Sequence, residues 1–341
     1  MPTARSILVD DEIPLHYHLV SRCVRRSWLC GRDPYTKKCY DYRRDWIKQR
    51  LYHLARSFAI EVTAYSIMSD HFHIAVYFDP LESQRWDESE VADRWLAAFP
   101  PKSVLKKEFA EVVALHKEIL LENPKRINHA RQTLGSMSKF MQYLKQPIAR
   151  RANVEDACTG HFFEGRFYSG ALLNEDAIVA AMAYVDLNEI RAEIVDSIEQ
   201  ISDASIHDRL ANINNSAVRL EAAIAPLVSG ITSVESKETG ASNRIAITLD
   251  HYCERLVSLA LEYRMDIGPK TVLAAQVAAI GKRQRAYGSD DALDGWAKVT
   301  VGAAKQRDCP DHRPHPSASP ADPHSATLCA LTVPIHLVEI N

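Results

Sequence analysis

Hydrophobic and polar positions repeat with two different periods along the chain. Residues 15–24 (LHYHLVSRCV) are rich in aromatic and branched side chains and predict a strand. From about 42 to 58, Trp46, Leu51, Leu54 and Phe58 recur at helical spacing. Residues 60–68 and 71–78 are two more β-rich runs, separated by the turn signal Ser69-Asp70, so the order is β-α-β-β. The charged stretch of about 81–124 reads as an inserted helical hairpin. A helix over about 134–151 follows, with Met137, Met141, Leu144 and Ile148 in one stripe and a kink expected at Pro147. Residues 162–173 (FFEGRFYSGALL) predict a strand with a glycine-marked bend. Asn174 is then placed to cap a helix of about 175–188, whose first turn is acidic as the macrodipole favours.

This order predicts the α+β class: a small antiparallel sheet with helices on one face. The core is expected to span 13–210, interrupted by the insertion at about 81–124. A linker over 211–244, most polar at 229–243, should lead to a small helical C-terminal module at 245–300. From 306 to 341 Pro, His, Ser and Ala dominate without periodicity, and a disordered tail is expected.

Composition adds limits. At 341 residues, 46% hydrophobic and 25% charged, the chain matches an ordinary globular protein, and a net charge of −3 gives no bulk signal for nucleic acid. The local distribution says more. Ten Arg and Lys residues between Arg22 and Arg50, including Arg25 and Arg26, meet only Asp33, Asp41 and Asp45. Trp28, Tyr35, Tyr40, Tyr42 and Trp46 interleave with them. A solvated helix face and a phosphate-contacting surface both fit; the aromatic rings tilt the reading toward nucleic acid. Seven cysteines without a C-x-x-C pair indicate neither a disulfide framework nor a zinc ribbon. The N-terminal residues lack an apolar signal core and no apolar run reaches the roughly 18 residues of a bilayer span, so a cytoplasmic location is expected.

Candidate chemistry lies in two places. His71 and His73 alternate with Phe72 on a strand, so both imidazoles project from one face. By itself H-x-H fits a hydrogen-bonded surface pair as well as two metal ligands. On the 175–188 helix, Tyr184 and Asn188 stand at i and i+4 and share a face with Ala177 and Ala181, while Ile178, Met182 and Val185 form the core stripe. Packing and capping would also account for Tyr184 and Asn188. The chemistry that uses a metal, a phenol and an amide together is phosphodiester transesterification, with a phenolate attacking a phosphate polarised by the cation. Neutral imidazole and amide ligands leave the cation its full charge, and Mg2+ and Mn2+ both suit the set.

The segments SRCVRR, AYSIMSDHFHIAV, MSKFMQYLKQPIARRAN, GHFFEGRFYSGALL and MAYVDLNEIRAEIV, in this order, resemble the successive motifs of REP-associated tyrosine transposases. These are single-tyrosine transposases of the His-hydrophobic-His (HUH) superfamily. The resemblance covers about residues 13–210. It implies a ferredoxin-like fold and metal-dependent cleavage and rejoining of single-stranded DNA beside hairpins of repetitive palindromic elements, through a 5′-phosphotyrosine link. Position by position it implies Tyr184 as nucleophile and His71, His73 and Asn188 as ligands. Tyr143 and Tyr168 also lie in these motifs, but Pro147 and Leu172 occupy their i+4 positions. Arg22, Arg25, Arg26, Arg166, Lys145 and Arg150 are candidate DNA contacts, with Arg151 behind them. Glu164 is a candidate accessory, with a salt bridge the simpler reading. The sequence departs from the family where Asn188-Glu189 replaces Asn-Pro and Glu193 replaces a small glycine. A domesticated hairpin-binding protein and a water-using metal nuclease are the competing readings; a monomer and a homodimer are both compatible.

Overall fold

A computed structural model of the chain describes residues 9, 12–24, 29–33, 37–101, 109–214, 223–229, 231 and 245–263. The candidate DNA contacts Arg25 and Arg26, most of the expected C-terminal module and the expected tail lie outside the described residues. The chain divides into two compact units, Met1–Glu189 with Ile201–Tyr252, and Ile190–Gln200 with Cys253–Asn341.

In the first unit, β1 (Leu15–Arg22), α1 (Tyr42–Ala55), β2 (Ile60–Ile67) and β3 (His71–Phe78) follow the predicted order. The insertion comprises α2 (Glu82–Arg85), α3 (Glu88–Ala98) and α4 (Phe109–Leu121), and a further helix, α5 (Pro124–Leu134), follows it. The sequence reading missed α5, which has Pro124 in its first turn and Asn123 as cap, its side chain accepting from the Arg126 N–H. Next come α6 (Met137–Glu155), β4 (Tyr168–Leu172), α7 (Glu175–Asp186) and the single turn α8 (Asn188–Arg191). The sheet is antiparallel with the order β4-β1-β3-β2, the ferredoxin-like arrangement, extended at the β2 edge by a short strand. That strand, β6 (Val228–Ser229), and the pair β5 (Ala223–Ile224) and β7 (Ile245–Thr248) come from stretches the sequence placed in the linker and module. Val228 pairs opposite Val62, so this stretch adds a short strand to the β2 edge of the sheet.

The core lies on the face carrying Tyr17, Leu19, Phe72, Ile74 and Val76, against Ile47, Leu51 and Leu54 of α1 and Phe140, Met141 and Leu144 of α6. Each fully buried aliphatic or phenylalanine side chain there contributes about 1.5–3 kcal/mol. Trp46, predicted in the α1 stripe, is displaced from it by Ile47 and instead lies under the Arg151 guanidinium, 3.6 Å from its ring centroid. Helix α6 continues through Pro147. The proline has no N–H to give the carbonyl of Tyr143 four residues back, and Arg50 Nε donates to that oxygen instead at 3.3 Å.

Among the described residues, part of the cationic zone is consumed within the fold, while Arg32, Lys37 and Lys38 are exposed. Arg43 is 0% exposed, paired with Glu155 and Asp156 and stacked 4.0 Å from the Tyr40 ring centroid. Arg44 pairs with Asp203. Lys48 pairs with Asp208, which also accepts from the phenols of Tyr52 and Tyr65, each at 2.7 Å. Burial would push the Asp208 carboxyl up, but Lys48 and the two phenols hold it below its usual range. These contacts dock α9 (Ser205–Asn214) onto α1 and β2. For Arg43, Arg44 and Lys48 the structure therefore favours an internal role over a phosphate surface.

The second unit, as described, contains the residues after Glu189, a 3-10 turn at Ile198–Gln200 and the larger part of α10 (Leu249–Tyr263), which begins in the first unit. Glu193 sits at φ +57°, in the left-handed region, with its N–H donating to the Ile190 carbonyl at 3.0 Å.

Candidate active site

The face of the sheet opposite the core carries His16, His18, Val20 and Arg22 of β1, opposite Tyr77, Ala75, His73 and His71 of β3. Ala64 and Ser66 of β2 face Ala75 and His73 in register. With Gly170 of β4 opposite His18, these small residues leave room for α7 to approach this second face, where it contacts β2, β3 and β4. Two of the predicted core residues of α7, Met182 and Val185, are fully buried, and Ile178 is nearly so. Asn174 caps the helix as expected, its Oδ1 accepting from the Ala177 N–H at 2.8 Å.

This packing brings three of the sequence-predicted residues together. Ring centroids of His71 and His73 are 4.9 Å apart, and the Tyr184 ring meets His73 edge-on at 5.5 Å. Tyr184 is half-buried and His73 is 5% exposed. Asn188 is buried, and its Nδ2 has no hydrogen-bond partner among the described residues. The expected single helix through Asn188 does not form: α7 ends at Asp186, Leu187 caps it, and Asn188 opens the next turn. Tyr184 and Asn188 are therefore not joined by an unbroken helical turn.

The reason for that ending is a buried polar anchor. Asp186 accepts from the Ser205 hydroxyl, from the Ile206 N–H at 2.8 Å and from the Tyr252 phenol at 2.5 Å. Burial pushes its carboxyl up, and these donors partly offset that. Glu189, which stands where the resembled family has proline, is buried as well and accepts from the Asp203 N–H at 2.9 Å. It takes a structural task in the turn instead of leaving the helix end loose.

Two residues outside the sequence-predicted set organise the imidazoles. Asp70 Oδ1 lies 2.6 Å from His71 Nδ1, while Arg22 donates to Oδ2 through Nε at 3.1 Å and a terminal nitrogen at 2.9 Å. Burial alone would raise the Asp70 carboxyl; the hydrogen bond and charge of His71 and the Arg22 guanidinium outweigh it and hold the group at about 2. The carboxylate is thus a firm acceptor that orients the His71 ring through Nδ1. Arg22, expected as a phosphate contact, is committed to Asp70. The other is His18, whose Nε2 is 2.9 Å from His73 Nδ1 and whose ring lies edge-on to Tyr184 at 5.7 Å. The H-Y-H alternation of β1 was the available signal, since it matches the H-F-H of β3 in period.

Of the remaining candidates, Lys145 reaches the Gly165 carbonyl at 3.5 Å and lies over the Phe163 ring at 5.0 Å. Phe163 bridges to Cys23, and the Glu164 N–H donates to the Arg22 carbonyl at 2.7 Å, so this loop runs beside the end of β1. Arg166, Arg150 and Glu164 are exposed. Tyr143 packs on Phe99 at 4.5 Å between ring centroids. Tyr168 is 44% exposed, lies edge-on to His18 at 6.5 Å, and burial of its other half pushes its phenol up. Among the described residues no three His, Cys, Asp or Glu side chains come together to hold a metal ion, so such a site needs a donor of another type. No described helix is long and apolar enough to cross a membrane.

Comparison with solved structures finds a REP-associated tyrosine transposase bound to a REP hairpin, at a TM-score of 0.37 and 10% identity, covering 69% of this chain and 99% of that one. No protein-family model and no curated protein matches the chain.

Proposed function

We propose that this chain is a metal-dependent DNA strand transferase that cleaves and rejoins single-stranded DNA beside hairpins, with Tyr184 as nucleophile. The observation that carries the reading is that Tyr184 packs on His73, which stands beside His71 on one sheet face, from segments more than a hundred residues apart. The ordered motifs of the sequence point to the same residues.

The donor types suit a divalent cation, Mg2+ or Mn2+. His71 and His73 supply imidazoles, and Asn188 contributes a buried amide whose nitrogen lacks a partner among the described residues; an amide flip, which exchanges its oxygen and nitrogen, would put the oxygen at that unpartnered place as a third donor. When bound, the cation would neutralise and polarise the scissile phosphate. Tyr184 does the bond-making. Its phenol oxygen attacks phosphorus, a Tyr–O–P bond forms to the 5′ phosphate, the P–O3′ bond breaks, and the departing oxygen leaves as a 3′-hydroxyl with the proton the phenol gave up. One phosphoester replaces another, so the bond is stored for rejoining. Asp70 and Arg22 keep the His71 ring in place during both steps.

A hairpin oligonucleotide with a nick that lets the cleaved piece diffuse away tests the reading. Incubated with Mn2+, the full chain should form a covalent protein–DNA adduct that disappears in Tyr184→Phe. An undiminished adduct in that variant would sink the nucleophile assignment. Nicking that survives the substitution with no adduct would replace the reading by a water-using nuclease, and hairpin binding without either product by a DNA-binding protein.

A further inference from the structure

A third imidazole, His18, stands beside the two that the sequence singled out. It lies one diagonal step from His73 across the β1–β3 ladder, and the two rings stack at 19° with centroids 5.1 Å apart. Its Nε2 faces His73 Nδ1 at 2.9 Å. Two facing imidazole nitrogens share one proton, so one ring donates and the other accepts. The direction decides what His73 has left to offer. When His18 donates, neutral His73 carries its proton on Nε2 and that atom has no lone pair for a cation. When His73 donates from Nδ1, its Nε2 lone pair is available.

We propose that His18 is a positioning residue that accepts the Nδ1 proton of His73 and so holds His73 in the tautomer able to ligate a divalent cation through Nε2. The choice of ligand rests on the strand-transferase reading above; the tautomer is a property of the chain with or without metal. Two observations support this reading. Asp70 engages the neighbouring His71 through the same ring atom, Nδ1, so the two imidazoles are held alike. His18 also touches the Tyr184 ring, so one side chain steadies both the predicted ligand and the predicted nucleophile. A neutral acceptor at this place adds no negative charge next to a site meant to receive phosphate, which a second carboxylate would do.

Long-range proton–nitrogen correlation spectra of the full chain, labelled with 15N at histidine and free of metal at pH 7, read the tautomer directly. The His73 signals are identified by their loss in His73→Gln. Protonated Nδ1 and unprotonated Nε2 on His73 are expected; a proton on Nε2 would overturn the proposal without any need for a folded His18 variant. In parallel, Mn2+ binding followed by electron paramagnetic resonance should weaken about 10- to 100-fold in His18→Phe. His18→Gln, whose amide oxygen can accept the same proton, should recover most of the affinity. An unchanged affinity in His18→Phe would also overturn the proposal. Should the wild-type chain take up no Mn2+, the metal-dependent reading fails, while the spectra still decide the role of His18.

Discussion

At the scale of single residues, the histidine face of the sheet makes the fold sensitive to acid. His16 packs its ring 5.0 Å from Tyr77, and its Nε2 is buried without a hydrogen-bond partner. A proton there would bury a charge with no acceptor, and burial accordingly pushes the pKa from 6.5 down to about 4. Between those values the unfolded chain binds more protons than the folded one. The stability at stake is fully present above pH 6.5 and is lost as the pH falls through about 4, amounting to at most about 3 kcal/mol for this one group. Urea unfolding of His16→Phe across that window should show a shallower loss of stability on acidification than the wild type. An identical slope would show that His16 does not carry the effect. Arg22 makes a related point: a basic residue that reads as a phosphate contact in the sequence acts in the structure through Asp70, as a support for His71.

At the scale of elements, the segment after Tyr184 accommodates one of the chain's two departures from the motif it resembles and strains at the other. Glu189 takes up the Asp203 N–H and Asp186 binds the start of α9, so the end of α7 is fixed by buried acceptors and not by proline. Glu193 has no such compensation in its backbone, since φ +57° is a conformation that glycine adopts freely and a Cβ resists. Glu193→Gly should therefore stabilise the chain by about 1 kcal/mol after the greater freedom of unfolded glycine is subtracted, measurable as a raised urea midpoint with an unchanged m-value. A lowered midpoint would mean that the glutamate side chain contributes more than its backbone costs. The element pattern itself was readable: β1, α1, β2, β3, β4 and α7 all lie where the spacing put them, within a few residues. Helix α5 was not, because its capping asparagine and first-turn proline sit where the charged insertion was expected to end in a loop.

At the scale of the molecule, charge that is clustered in the sequence is dispersed by folding. Arg43, Arg44 and Lys48 turn to carboxylates, while Arg150 and Arg166 are exposed at the surface. If hairpin DNA is the ligand, Arg150→Ala and Arg166→Ala should each weaken binding and lower the slope of log K against log salt by about 1. Arg43→Ala, by contrast, should lower stability by about 1–3 kcal/mol, because it removes a fully buried side chain from beneath Tyr40, while the partly exposed Glu155 and Asp156 can turn to water. Titrations of a labelled hairpin at several salt concentrations separate the cases; slopes unchanged in both surface variants would remove these two arginines from the interface.

The sequence by itself determined the strand and helix order, the α+β class and the identity of the residues that meet, His71, His73 and Tyr184, because periodicity and motif are local properties of a chain. Tertiary structure alone decided the partners. Which arginines are neutralised, that His18 grips His73 by its Nδ1, that residues 223–229 supply strands to two sheets, and that the tyrosine helix stops at Asp186 all depend on groups far apart in sequence. Hydrogen bonds and ion pairs are satisfied by whatever the packed chain brings within about 3 Å, and no spacing along the sequence encodes that distance.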